Sequence, residues 1–190
     1  MPLLMAILIQ WKWKLLVMSE DQHIFLGLGS NVGNRYQNLK FGVDMLNAHP
    51  HIWVTEKSHV YQSPAMYNTD QDEFYNMVIE IDTNLIPVDL LNAIKVIEEK
   101  AGRKVEKKRN MPRVLDIDIL AIGSLQIHSG LLEIPHAGIS ERKFVLKPWN
   151  DIAPKFKVPG QNALVSEILE NTDDNSDVRM VLIVDKEGML

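Results

Sequence analysis

The chain contains no cysteine. That excludes a disulfide framework, a thiolate zinc site and a cysteine nucleophile, and it fits a reducing cytoplasm. Nowhere is there an unbroken apolar run of the ~20 residues that a membrane span needs. The most apolar stretch, Pro2 to Met18, is interrupted by Lys12 and Lys14. Those charges fall inside the run and no small-residue cleavage site follows, so it does not read as an export signal. Internal repeats and low-complexity tracts are missing. So is the phosphate loop in which glycines lead into lysine and serine or threonine. With a formal net charge of −5 and no basic tail, the chain is a poor match for bulk nucleic acid. Its 190 residues, 46% of them hydrophobic, suffice for one buried core and are too few for two full domains. The expectation is therefore an N-terminal apolar extension of unassigned role over residues 1–22, ahead of a single domain over residues 23–190. Met18-Ser19-Glu20-Asp21 reads as a natural start before the first strand.

Charge is distributed unevenly. Six of the eleven residues from Arg103 to Arg113 are basic and only Glu106 is acidic, a local net charge of +5, so the remainder carries −10. This run leads directly into Asp116-Ile117-Asp118. If Val114 to Ala121 is a strand, its period of two places both carboxylates on one face, with Leu115, Ile117 and Ile119 on the other. Magnesium is commonly held by one or two carboxylates together with substrate phosphates, and neighbouring cations clamp the same phosphates. Taken singly, an acidic i, i+2 pair reads as a strand end and a basic run as a solvated loop. Side by side, they point to a metal-dependent enzyme acting on a small polyphosphate.

Apolar spacing predicts a strand at His23 to Leu28 and a helix at Arg35 to Ala48, with an asparagine in the intervening turn as its cap. A strand at Ile52 to Tyr61, a loop at Gln62 to Asp70 and a strand at Phe74 to Asp82 follow. Pro87 and Gly102 bracket an amphipathic helix carrying Leu90, Leu91, Ile94 and Ile97. Beyond the Asp116 strand come a hairpin at Gly123-Ser124, a helix near Ser140 to Trp149, a short helix at Leu164 to Leu169 and a terminal strand at Val178 to Val184. The leading order β-α-β-β-α-β implies an α+β fold, a ferredoxin-like sandwich with a mainly antiparallel sheet and helices on its faces.

Gly27-Leu28-Gly29-Ser30-Asn31-Val32-Gly33, between a strand and a helix, offers a rival reading as a dinucleotide fingerprint for a nicotinamide-dependent enzyme. Its spacing is one residue too long, no acidic residue ends the second strand, and the element order is not doubly wound.

Five segments in order carry a more specific signal. They are Leu26-Gly27-Leu28-Gly29-Ser30-Asn31, Tyr61-Gln62-Ser63-Pro64, Phe74-Tyr75-Asn76, Pro112-Arg113-Val114-Leu115-Asp116-Ile117-Asp118, and Ile134-Pro135-His136 with Arg142 and Phe144. Together they resemble the 6-hydroxymethyl-7,8-dihydropterin pyrophosphokinase family over about His23 to Pro159. The resemblance implies diphosphate transfer from ATP, the co-substrate, to the pterin hydroxymethyl group with release of AMP, in folate biosynthesis, using two Mg2+ ions. It implies that Asp116 and Asp118 bind the metal, and that Arg103 and Arg113 act with them in catalysis. Glu98, Arg103, Arg109, Arg113, Ile119, His136 and Arg142 would hold the nucleotide. Ser63, Pro64, Met66, Phe74, Asn76, Asp116 and Phe144 would hold the pterin, a flat ring that needs two aromatic walls and edge hydrogen bonds.

The chain departs from the family pattern at Asn110, where tryptophan is frequent, and at Ala137, where tyrosine is frequent. The loop Lys104 to Met111 has no apolar anchor, and it would close over ATP and shield the reaction from water. The expected partners are the two small substrates, without nucleic acid or membrane; a monomer is expected, with a dimer as the alternative. A non-catalytic binder of pterin or nucleotide is the other reading, although a mere binder has no need of paired metal ligands.

Overall fold

The computed structural model describes residues 23–66, 70–102 and 111–182, with the backbone of 184–185 and 188–189. The N-terminal extension, Arg103, Arg109, Asn110 and nearly all of the basic loop lie outside the described residues.

A six-stranded sheet forms the centre. Its main strands are β1 (Ile24–Ser30), β2 (Ile52–Lys57), β3 (Tyr61–Ser63), β4 (Phe74–Thr83) and β5 (Asp116–Ile122), with the two-residue strand Arg179–Met180 at one edge. β1 lies between β4 and β5, and β4 shares its other side between β3 and β2, every pairing being antiparallel. Helix α1 (Arg35–Asn47) joins β1 to β2, and α2 (Pro87–Lys100) joins β4 to β5. This is the ferredoxin-like order expected from the sequence. Helices α3 (Lys143–Ile152) and α4 (Val165–Asn171) follow.

Because alternate strand residues point to opposite faces, the sheet has two cores. Leu26, Leu28, Ile79, Ile81, Ile117 and Ile119 pack against Leu39, Val43 and Leu46 of α1 and Leu90, Ile94 and Ile97 of α2. Phe25, Val78, Leu120 and Ala121 face the other way, toward Val145, Leu146 and Trp149 of α3 and Val165 and Ile168 of α4. The Phe25 ring lies 5.2 Å from Trp149 and 4.9 Å from Phe156, centroid to centroid. Leu120 and Ala121 share a face because the β1–β5 register shifts there: Leu26 pairs with Ile119 but Phe25 with Ala121. Leu120 is the extra residue of a bulge.

Helix termini follow the local sequence. The Asn34 side chain accepts the Gln37 amide at the start of α1, Pro87 opens α2, and Gly102 leaves it with φ +99°. Three expectations are corrected. The strand expected over Ile52 to Tyr61 is two strands, because the Ser58 hydroxyl accepts the Val78 amide and interrupts the ladder with β4. Gln62 and Ser63, expected in a loop, belong to β3. The terminal strand is confined to Arg179–Met180 on β3, and Val184–Asp185 pairs instead with Gly188–Met189.

Candidate active site

Directly opposed residues of antiparallel strands share a face. The β4–β1–β5 register therefore aligns Asn76, Gly29 and Asp116 in one row, and Val78, Gly27 and Asp118 in the next. Both rows face α3. Side chains stand on either side of a middle strand that has none, leaving a trough between Asn76 and the two aspartates. Neither glycine has a positive φ, so what glycine supplies here is room. A Cβ at Gly29 would come within 3.2 Å of Asn76 Oδ1, and one at Gly27 within 3.2 Å of a Leu120 methyl.

The trough opens into a cavity of about 480 Å3, a size suited to small molecules. On the β3–β4 side it is lined by Ser63, Pro64, Met66, Phe74 and Asn76. Asp116, Asp118 and Arg113 line the β5 side, Glu98 comes from α2, and His136, Arg142 and Phe144 come from the α3 side. Ile119 is 4% exposed and its side chain sits in the α1–α2 core, away from the cavity. Arg103 and Arg109 lie outside the described residues.

The polar groups are held in place individually. Buried Asn76 donates from Nδ2 to Ser63 Oγ at 2.9 Å, which orients its Oδ1 toward Gly29. Glu98, 4% exposed, accepts the Ile117 amide of the edge strand β5 at 2.9 Å. Arg113 donates to the Asp116 carboxylate. Burial acts to lower the pKa of this guanidinium, but the carboxylates of Asp116, Asp118 and Glu98 outweigh it and hold the group above its ordinary value. At Asp118, burial among the cleft walls and then the neighbouring Asp116 charge raise the pKa, against the pull of His136, Arg142 and Arg113. This happens although 43% of the Asp118 side chain is open to the cleft. His136 Nδ1 lies 2.6 Å from the carbonyl of Ala137. Arg142 Nη1 lies 3.4 Å from the same nitrogen, and Nε2 stands 3.8 Å from Asp118.

Asn31, 2% exposed, joins three segments. Its amide donates to the Arg113 carbonyl at 3.0 Å, its Oδ1 accepts the Arg113 amide at 2.7 Å, and its Nδ2 reaches Gln71 Oε1 and the Asp72 carbonyl, both at 3.2 Å. Asn31→Ala is expected to lose roughly 1–3 kcal/mol, because the Arg113 amide is left without its acceptor. Urea unfolding measures this, with unchanged stability as the contrary outcome.

Local pattern carries no direct sign of Asn31 as a hub or of Gln71 and Lys95 on the cavity wall. Gly27 and Gly29 did carry a sign in their alternate spacing. They lie within β1 between two antiparallel neighbours, not in a strand-to-helix turn of a doubly wound sheet, so the dinucleotide reading is corrected.

Fold and cleft together define an α+β protein with a trough over two strand glycines, beside paired carboxylates and arginines. The chain belongs to the 7,8-dihydro-6-hydroxymethylpterin-pyrophosphokinase (HPPK) family, whose model matches residues 25–154. It is 40% identical over 156 residues to the 2-amino-4-hydroxy-6-hydroxymethyldihydropteridine pyrophosphokinase of Methylorubrum extorquens, covering 82% of this chain and 97% of that protein. It is 39% identical over 158 residues to the Folic acid synthesis protein FOL1 of Dictyostelium discoideum, covering 83% of this chain but only 24% of that longer protein. In structure it is similar to Plasmodium falciparum HPPK-DHPS with pterin and p-hydroxybenzoate, with a TM-score of 0.66 at 15% identity, over 92% of this chain and 49% of that one.

Proposed function

We propose that this chain transfers diphosphate from ATP to 6-hydroxymethyl-7,8-dihydropterin as a magnesium-dependent pyrophosphokinase of folate synthesis. The hydroxymethyl oxygen attacks the β-phosphorus, the bond from that phosphorus to the α,β-bridging oxygen breaks, and AMP departs with the bridging oxygen. The carrying observation is the strand register, which puts Asp116 and Asp118 in the same two rows as Gly29, Gly27 and Asn76. It brings an acceptor site for a flat ring within one residue row of the carboxylates.

Phe74 and Phe144 are the two walls for the pterin, and Asn76 reads its edge. The backbone around Ser63, Pro64 and Met66 supplies the remaining edge contacts, and Asp116 approaches the hydroxymethyl group. Arg113, His136 and Arg142 engage the phosphates, joined by Arg103 and Arg109 on the strength of the resemblance alone. Glu98 contributes to the nucleotide side, and Ile119 is available to it through the backbone of β5.

The donor set fits magnesium. Two carboxylates crowd one face, and burial together with the Asp116 charge disfavours the Asp118 charge. Magnesium takes one or two protein carboxylates and completes its shell with phosphate and water, a requirement that Asp116 and Asp118 on one face of β5 meet. Asp116 and Asp118 would hold two such ions, whose positive charge would offset that of the phosphates and of the leaving oxygen. The residues themselves align the hydroxymethyl group with the β-phosphorus, exclude water and hold the nucleotide, which is the main task in phosphoryl transfer.

The same reading takes residues 23–190 as one catalytic domain, a monomer with a dimer as the alternative, working in the cytoplasm, a compartment that the cysteine-free sequence suits. Among the described residues no helix is long and apolar enough to cross a membrane. The deciding assay follows AMP released from ATP with magnesium, with and without the hydroxymethylpterin. AMP is expected only when all three are present. Tight binding of both substrates with no AMP would leave a non-catalytic homologue as the correct reading.

A further inference from the structure

We propose that residues 172–181, beyond the end of the family match at residue 154, form a strap that sets the spacing of the cleft's two walls, with Asp174 as its positioning residue. This inference rests on the function proposed above for the identity of the ligand, but not for the mechanical role of the strap.

The start of α3 is the weak point that the strap repairs. This helix has no side-chain cap from its own flanks, so its first amides need acceptors from elsewhere. Asp174, 31 positions later in the chain, supplies one: its Oδ2 accepts the Lys143 amide at 2.9 Å. Lys143 stands between Arg142 and Phe144, which both line the cavity. The cap therefore fixes the backbone between a cation and an aromatic wall. Asp174 Oδ1 accepts the Ser176 amide at 2.8 Å, closing the loop on itself.

Further bonds tie the same segment along α3. Thr172 Oγ1 donates to the Ser140 carbonyl at 2.7 Å, Lys143 Nζ to the Ser176 carbonyl at 3.2 Å, and Lys147 Nζ to the Val178 carbonyl at 2.7 Å. Val178 is 3% exposed, so the chain is anchored where it leaves the helix. It then crosses to the opposite wall. Arg179 and Met180 pair with Gln62 and Tyr61 of β3, and the Val181 amide donates to the Val60 carbonyl at 2.8 Å. β3 runs straight into Ser63 and Pro64. Arg179 also approaches Glu73, next to Phe74, at 3.6 Å. One ten-residue segment thus holds the backbone beside Phe144 at one end and that beside Phe74 at the other. Asp174 is suited to this as an ionised acceptor. Burial would raise its pKa, but hydrogen bonds from Ser176 and Lys143 outweigh that and hold it below the ordinary carboxylate value.

The test combines equilibrium binding with amide hydrogen exchange. Asp174→Ala is expected to weaken binding of 6-hydroxymethyl-7,8-dihydropterin, in the presence of a non-hydrolysable ATP analogue, by about fivefold, the size of a lost helix cap. Affinity for the analogue alone should change less than twofold, and exchange at residues 143–146 should accelerate. Asp174→Asn retains one acceptor for the Lys143 amide and should recover most of the affinity. Lys147→Met, which cuts the tie to Val178 without touching the cavity, should move binding in the same direction by a smaller factor. Wild-type pterin affinity and wild-type exchange in Asp174→Ala would overturn the strap. Absence of pterin binding by the unaltered protein would instead overturn the proposed function, and the exchange result would still decide the strap.

Discussion

Replacing Asp116 and Asp118 together by asparagine is expected to lower kcat/KM by about a thousandfold or more while leaving the protein folded. Each substitution removes a unit of negative charge from one face of β5 and keeps the size of the side chain. If that face holds the cations that neutralise the triphosphate, several kcal/mol of barrier lowering is lost, and every 1.4 kcal/mol is about tenfold in rate. Steady-state AMP release measures it. Turnover within about tenfold of the unaltered enzyme would sink the assignment of the pair.

The single variants should separate in stability even where they agree in activity. Burial and the adjacent Asp116 charge hold the Asp118 pKa up in the folded protein. Its ionised form is therefore less favourable folded than unfolded, so the ligand-free protein gains stability as pH falls through this titration and is penalised above it. Asp118→Asn removes the penalty and should raise the neutral-pH Tm without metal or nucleotide. Asp116 differs because its carboxylate is bound by Arg113; Asp116→Asn strips the guanidinium of that partner and should lower Tm. Thermal unfolding at neutral and mildly acidic pH checks both signs. Only the Asp118 gain should shrink on acidification.

The parts of this arrangement that could be read from sequence are those governed by short-range rules. Alternation placed Asp116 and Asp118 on one face and Leu115, Ile117 and Ile119 on the other, and the structure puts those three side chains in a single core. Pro87 and Gly102 bracket α2 for local reasons of φ and a missing donor. What escaped was set by distant partners. The break between β2 and β3 depends on Ser58 reaching Val78. The α3 cap comes from Asp174, 31 residues away. The burial of Glu98 likewise has no local sign: its carboxylate accepts the amide of Ile117, 19 residues further along the chain. The family pattern supplied most of the site, because motif order records such long-range placement where local periodicity cannot.

Gly29→Val is expected to lower kcat/KM for the pterin by about 10- to 100-fold, with the KM for ATP nearly unchanged and the Tm lowered by only a few degrees. Gly29 occupies extended backbone that any residue adopts, and a β-branched residue suits a strand and has less freedom to lose on folding. The damage is therefore confined to space. A Cβ here meets Asn76 Oδ1 at 3.2 Å and Phe74 Cδ1 at 3.8 Å. Asn76 has little room to withdraw, since its Nδ2 is held by Ser63 Oγ. The two methyls beyond that Cβ would project into the trough, a penalty of the ~1–3 kcal/mol typical of overfilling a packed site. Gly27→Ala is the control: its Cβ meets the flexible end of Leu120 at 3.2 Å, so the neighbour gives way and kcat/KM should stay within about threefold. Equal losses in both variants, or a fall in Tm that tracks the fall in rate, would mean that the glycines serve the strand rather than the ring lying on it.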